Sequence, residues 1–159
     1  MKAIVIFPEK NQELETIRKK YNPFYEGFKT HITLIQPFEA PEKEINERIR
    51  AAIKGIKPFK ITLEGLKKSS KEYFLYLLVK EGKDKILKIH KNLCQKLKAP
   101  LSAYPPHVTL GVFTTKTDID KAVKELKRKN LRFKTAVNAI YLLNLNKDFS
   151  LRSIKEFKL

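Results

Sequence analysis

A chain of 159 residues, 42% of them hydrophobic, has enough apolar material for a real core, which excludes wholesale disorder. Its 34 Lys and Arg against 17 Asp and Glu leave a formal net charge of +17, a field that attracts polyanions and speeds their association. The single cysteine, Cys94, excludes an internal disulfide framework and a cysteine-based metal cluster, and no apolar run approaches the ~20 residues of a membrane span.

Strand-like and helix-like segments alternate along the chain. Ala3 to Phe7 is a short apolar strand that stops at Pro8; it lacks the length and cleavage site of a signal peptide, so a cytoplasmic protein is expected. Leu14, Ile17 and Tyr21 recur at helical spacing, with Pro23 just beyond. His31 to Phe38 reads as a strand. Pro41 opens a helix whose face is Ile45, Ile49 and Ile53. Phe59, Ile61 and Leu63 alternate with Lys60, Thr62 and Glu64 as a half-buried strand does.

The same order then returns. Tyr73 to Val79 is a strand, Ile86, Ile89, Leu93 and Leu97 form a helix stripe, and His107 to Phe113 is again a strand. Cys94 falls inside the helix stripe and is expected to be a buried structural thiol. Thr117 is the expected cap of a last helix whose buried face is Ile119, Val123 and Leu126. Strand-like sequence runs from Arg132 to Leu145, and the tail from Phe149 is expected to pair with it as a hairpin. The stretch Lys67 to Lys71 reads as a solvated basic turn. With no linker or low-complexity tract, residues 1–159 are expected to form one domain of two similar lobes.

The halves share one motif, His31-Ile32-Thr33-Leu34 and His107-Val108-Thr109-Leu110, each opening the third element of its half. A strand sends residues i and i+2 to one face, so each His and Thr share a face while the aliphatic residues take the other. If the two polar faces meet across a cleft, two imidazoles and two hydroxyls converge. A neutral imidazole can take a proton from water or a ribose hydroxyl, and a protonated one can give a proton to a departing oxygen. The threonine hydroxyls can donate to phosphate oxygens. His90, the third histidine, lies in the helix beside Ile89 and Leu93, and has no such threonine; it is expected to pack at the core boundary.

Two His-x-Thr tetrads in a chain of this length resemble the 2H phosphoesterase superfamily, which includes the 2'-5' RNA ligase-like proteins and RNA 2',3'-cyclic phosphodiesterases. The resemblance runs from about Lys2 to Leu145; the run Arg18-Lys19-Lys20-Tyr21-Asn22-Pro23 and the pair Pro105-Pro106 are similar to a small bacterial-type subgroup of that superfamily. It implies a bilobal, duplicated α+β fold with pseudo-two-fold symmetry: two antiparallel sheets around a central V-shaped cleft, helices outside. It also implies hydrolysis of a 2',3'-cyclic phosphate to a 2'-phosphate, with His31 as the acid on the 3' oxygen, His107 as the base on water, and Thr33 and Thr109 on the phosphate. Related 2'-5' linkages are the other substrate class it suggests.

Beside the tetrads, Lys29 is a candidate phosphate contact and Tyr104 a candidate base-stacking residue. No metal and no cofactor are expected, since no carboxylates sit at a suggestive spacing with the three histidines. The expected partner is RNA or a nucleotide, met by a monomer, with no membrane involved. The competing reading is a binding module that grips phosphorylated RNA ends in the same cleft without turnover. A structural partner in an RNA-processing complex is a third.

Overall fold

The computed structural model describes residues 1–69, 72–101 and 105–159, the side chains of Glu42 and Lys43 excepted. Element order is β1 (Lys2–Ile6), α1 (Gln12–Tyr21), β2 (Ile32–Phe38), α2 (Glu42–Ile53), β3 (Phe59–Lys68), β4 (Phe74–Val79), α3 (Lys83–Leu97), β5 (His107–Val112), α4 (Lys116–Lys127), β6 (Arg132–Val137), β7 (Ala139–Leu145) and β8 (Leu151–Lys158). The α+β class and the alternation along the chain agree with the sequence reading. The terminal hairpin does too: β8 pairs β7 from Ala139↔Lys158 to Leu145↔Leu151.

Local chemistry explains the helix starts. Asn11 caps α1, its Oδ1 accepting from Leu14 N at 3.0 Å, with Glu13 and Glu15 in the first turn and Arg18, Lys19 and Lys20 in the last. The cap of α4 is Thr115, not Thr117: its Oγ1 accepts from Asp118 N at 3.1 Å and donates to Asp118 Oδ2 at 2.6 Å. Thr115 to Asp118 and Thr117 to Asp120 both have the threonine-to-acid spacing of a capping box, so the observed bonds, and not the spacing, identify the earlier threonine as the cap.

The expectation of two separate sheets is corrected. Among the described residues all eight strands form one antiparallel sheet in the order β6-β3-β4-β5-β2-β1-β7-β8. The halves of the chain are not the halves of the sheet. β3, from the first pass, pairs β4 and β6; β7, from the second, pairs β1 and β8. Strand exchange between the passes ties both ends of the chain into a common hydrogen-bonded layer. β2 and β5, which carry the tetrads, are neighbours at its centre through the pair Ile32↔Val108.

The core lies between this sheet and helices α1 to α4. α3 packs on α2 and on β2, and α1 packs on β5. Ile32, Leu34, Val108 and Leu110 are buried to 2% exposure or less, so the aliphatic positions of both tetrads anchor the central strands in hydrocarbon. Contact between α1 and β5 is close enough that a Cβ at Gly111 would stand 2.9 Å from the Tyr21 Cβ and 2.7 Å from the Phe113 ring. Cys94 is buried, as expected, and burial pushes its thiol pKa up, so it stays a packed thiol. Among the described residues no helix is long and apolar enough to cross a membrane.

Candidate active site

His31, Thr33, His107 and Thr109 are all half-buried, while the aliphatic residues between them are buried. The antiparallel pair Ile32↔Val108 places His31 across from Thr109 and Thr33 across from His107, on the face opposite the aliphatic anchors. Each histidine therefore has the other tetrad's threonine opposite it. Diagonal neighbours at ordinary antiparallel spacing are about 7–8 Å apart, so the two histidines stand near one another on this face. The charge of His107 acts on His31, as expected of rings sharing one face.

Both rings are held in the same way. His31 Nδ1 donates to Lys29 O at 2.7 Å, and His107 Nδ1 donates to Pro105 O at 2.7 Å. A carbonyl only accepts, so each neutral ring carries its proton on Nδ1 and its lone pair on Nε2. The backbone two residues upstream of each tetrad's histidine thus sets a tautomer that leaves the Nε2 lone pair available.

Both tetrads also share a break in register. On β1, Val5 pairs Thr33 and Ile4 pairs Ile35, which leaves Leu34 as an extra residue. On β4, Tyr76 pairs Thr109 and Leu75 pairs Gly111, which leaves Leu110 extra. A bulge bends the strand and frees backbone groups that need other partners. Side chains supply them: His90 Nδ1 donates to Leu34 O at 2.8 Å, and Arg18 Nε donates to Thr109 O at 3.2 Å. His90 is buried, as its helix stripe implied, but its ring also supports the first tetrad.

Arg18 is a site-supporting residue that sequence patterning does not single out. It is 2% exposed. Besides Thr109 O, its guanidinium donates to Thr30 Oγ1 at 2.7 Å and Phe28 O at 2.9 Å, and Glu15 Oε2 lies 3.8 Å away. Thr30 in turn donates to Glu15. One buried cation thus fixes the segment entering the first tetrad and the strand of the second. It also lines a 140 Å³ recess with His31, Thr109, Asn22, Phe24 and Phe28.

Tyr76 is the second residue the sequence does not mark. Its ring centroid is 3.9 Å from that of His107, and Phe74 stacks against it at 6.2 Å and 20°. The basic run at Lys67 is also corrected: Lys67 and Lys68 belong to β3, not to a turn. Gly65, at φ +93°, takes up a slip between β3 and β4 that lets the strand continue, and Lys67 pairs Tyr76 beyond it. The Lys67 charge reaches His107.

Lys29 is exposed and lines a 350 Å³ cavity together with His31 and Thr33. Tyr104, with Ser70 and Lys71, lies outside the described residues. Among the described residues no group of three or more His, Cys, Asp or Glu side chains is placed to hold a metal ion.

Burial is the largest influence on both imidazoles and lowers their pKa; Arg18 and His107 lower His31 further, and Lys67 does so for His107, against the opposing pull of the carbonyl bonds. A histidine depressed in the folded state binds fewer protons folded than unfolded between the two pKa values. Stability contributed by these rings is therefore full above the unfolded value of about 6.5 and is lost as pH falls through the lowered folded values. The expected result is that a His31→Gln/His107→Gln variant loses less stability than the parent between pH 7 and pH 5. Urea titrations at the two pH values measure it.

A model of the 2'-5' RNA ligase superfamily matches residues 6–149. A relative from Geobacillus kaustophilus, whose name calls it a phosphoesterase, is 32% identical over 155 residues, covering 89% of this chain and 86% of that one. The crystal structure of TT0787 from Thermus thermophilus superposes with a TM-score of 0.63 at 15% identity, over 99% of this chain and 97% of that one. E. coli LigT complexed with 3'-AMP superposes with a TM-score of 0.59 at 12% identity, over 99% and 98%.

Proposed function

This chain belongs to the 2'-5' RNA ligase superfamily, and from that premise we propose that it hydrolyses a 2',3'-cyclic phosphate on RNA or a nucleotide, using His31 and His107 as an acid and base pair. The observation that carries the reading is the matched pair of Nδ1-to-carbonyl bonds on one sheet face, which gives both rings the same tautomer and the same free lone-pair position. A pseudo-two-fold relation between the central strands, with a cleft over them, is the arrangement this reading uses.

In the order the family resemblance supplies, His107 Nε2 takes a proton from water as its oxygen bonds to phosphorus. The bond from phosphorus to the 3' oxygen breaks, and His31, protonated, gives that oxygen its proton. The product is a 2'-phosphate. Thr33 and Thr109 hold the non-bridging oxygens, and Lys67 and Arg18 add positive potential that favours the anion. The nucleotide in LigT's complex supports a nucleotide-sized substrate here.

The decisive assay incubates the protein with 2',3'-cyclic nucleotides and with RNA ending in a cyclic phosphate, and identifies the monoester. A 2'-phosphate is expected, with turnover unchanged by chelator. Because both pKa values lie below the usual histidine value, kcat/KM is expected to follow a bell with its maximum below about pH 6.5. A 3'-phosphate product would exchange which ribose oxygen leaves; RNA binding without any product would instead support the non-catalytic reading.

A further inference from the structure

Resting on the nucleotide reading above, we infer that the cavity beside His31 and Thr33 is a nucleobase pocket, and that Gln36 reads the edge of the base. The cavity holds 350 Å³, within the range of small-molecule sites. Its walls include Phe28, Leu143, Phe149, Leu151 and Ile154, with Gln36 on the β2 side. Phe28, Phe149, Leu151 and Ile154 are between 37% and 48% exposed, so their apolar surface is not used up by the core. Lys29 and Glu26 also line it and offset one another, so the pocket has no excess charge with which to take a second phosphate.

Gln36 reaches this cavity because of the register break at Leu34. Strict alternation from His31 and Thr33 would turn residue 35 to the same face; with the extra residue, Ile35 is instead 6% exposed and Gln36 lines the cavity. An amide offers both a donor and an acceptor, as a base edge does, and a fatty chain would have no use for it. The aromatic rings of Phe28 and Phe149 give a base surfaces to stack on.

Phe149 supplies an independent observation. It adopts φ +64°, in the left-handed region that a bulky residue avoids, and is 47% exposed. The turn around it is over-determined: Phe149 N donates to Asn146 O at 3.1 Å, Asn146 N to Ser150 O at 2.9 Å, and Asp148 Oδ1 accepts from Ser150 N at 3.0 Å and from its Oγ at 2.6 Å. Glycine is the residue this backbone favours. A phenylalanine there carries conformational strain for a ring that the fold leaves half exposed, which assigns the ring to something the pocket receives.

The test is calorimetric binding of 3'-AMP, 3'-CMP, 3'-UMP and inorganic phosphate to the full chain. Each nucleotide is expected to bind about tenfold or more tightly than phosphate. Phe149→Gly is expected to weaken nucleotides about tenfold, leave phosphate unchanged, and leave Tm unchanged or raised. Gln36→Leu should reorder or flatten the ranking of the three bases. Nucleotides no tighter than phosphate overturn the inference, as does a Phe149→Gly variant with a lower Tm and unaltered nucleotide affinity. Tight base-dependent binding without hydrolysis of any cyclic phosphate would remove the enzyme reading and leave the pocket standing; hydrolysis indifferent to the base would do the reverse.

Discussion

His31→Ala and His107→Ala are each expected to lower turnover of a 2',3'-cyclic phosphate by roughly 10²–10⁴-fold while the protein stays folded. Each ring is half-buried and bonds a nearby carbonyl, whereas the residues anchoring its strand are the aliphatic neighbours. Loss of the imidazole therefore removes proton transfer without opening the core. The double variant should fall little below the weaker single one, because an acid and a base working on one bond are not independent. The checks are steady-state kinetics for each variant and a thermal melt. Activity within about tenfold of the parent for either single variant would defeat the two-histidine mechanism.

Arg18→Met should cost the largest amount of stability of any single change near the site, about 3 kcal/mol. Methionine fills similar volume, but in place of a side chain only 2% exposed it leaves Thr109 O, Phe28 O and Thr30 Oγ1 without this donor and takes the guanidinium away from Glu15. Each buried group left unmet costs about 1–3 kcal/mol, and partial access of water to the 140 Å³ recess limits the sum. For a domain of this size the loss corresponds to a Tm lower by roughly 6–12 °C. Arg18→Lys keeps the charge without the fork and should recover part of the loss.

Arg18 acts through its neighbours, so kinetics distinguish positioning from mere folding. Without its charge the His31 pKa moves up toward the ordinary value, and because His31 acts as the acid, the alkaline limb of kcat/KM should move to higher pH in Arg18→Met, measured at a temperature where the variant is folded. Arg18→Lys should leave that limb near the parent's. An unchanged limb in the methionine variant would reduce Arg18 to a structural part.

Much of this arrangement is legible from residues alone because it depends on local periodicity. Alternation puts His31 with Thr33 and His107 with Thr109, and the same alternation sends Ile32, Leu34, Val108 and Leu110 into the core. Helix stripes, the terminal hairpin and the burial of Cys94 follow from patterns a few residues long. The cap of α4 is narrowed at that range to two threonines, since Thr115 to Asp118 and Thr117 to Asp120 share one spacing, and the structure chooses Thr115.

What periodicity does not decide is which strands become neighbours. Repeated element order suggests separate sheets, but the pairing of β2 with β5 joins the strands into one, because hydrogen bonding between strands is settled by long-range packing and not by either strand's own sequence. Arg18 meets Thr109 across 91 residues and His90 meets Leu34 across 56, distances over which no local pattern carries information. The extra residues at Leu34 and Leu110 exist only relative to β1 and β4, so neither the turn of Gln36 into its cavity nor the seating of Tyr76 against His107 has a local signature. The chain itself determined which side chains are available for phosphate chemistry; tertiary pairing decided that they share one face, since only the register of β2 against β5 brings the two tetrads side by side.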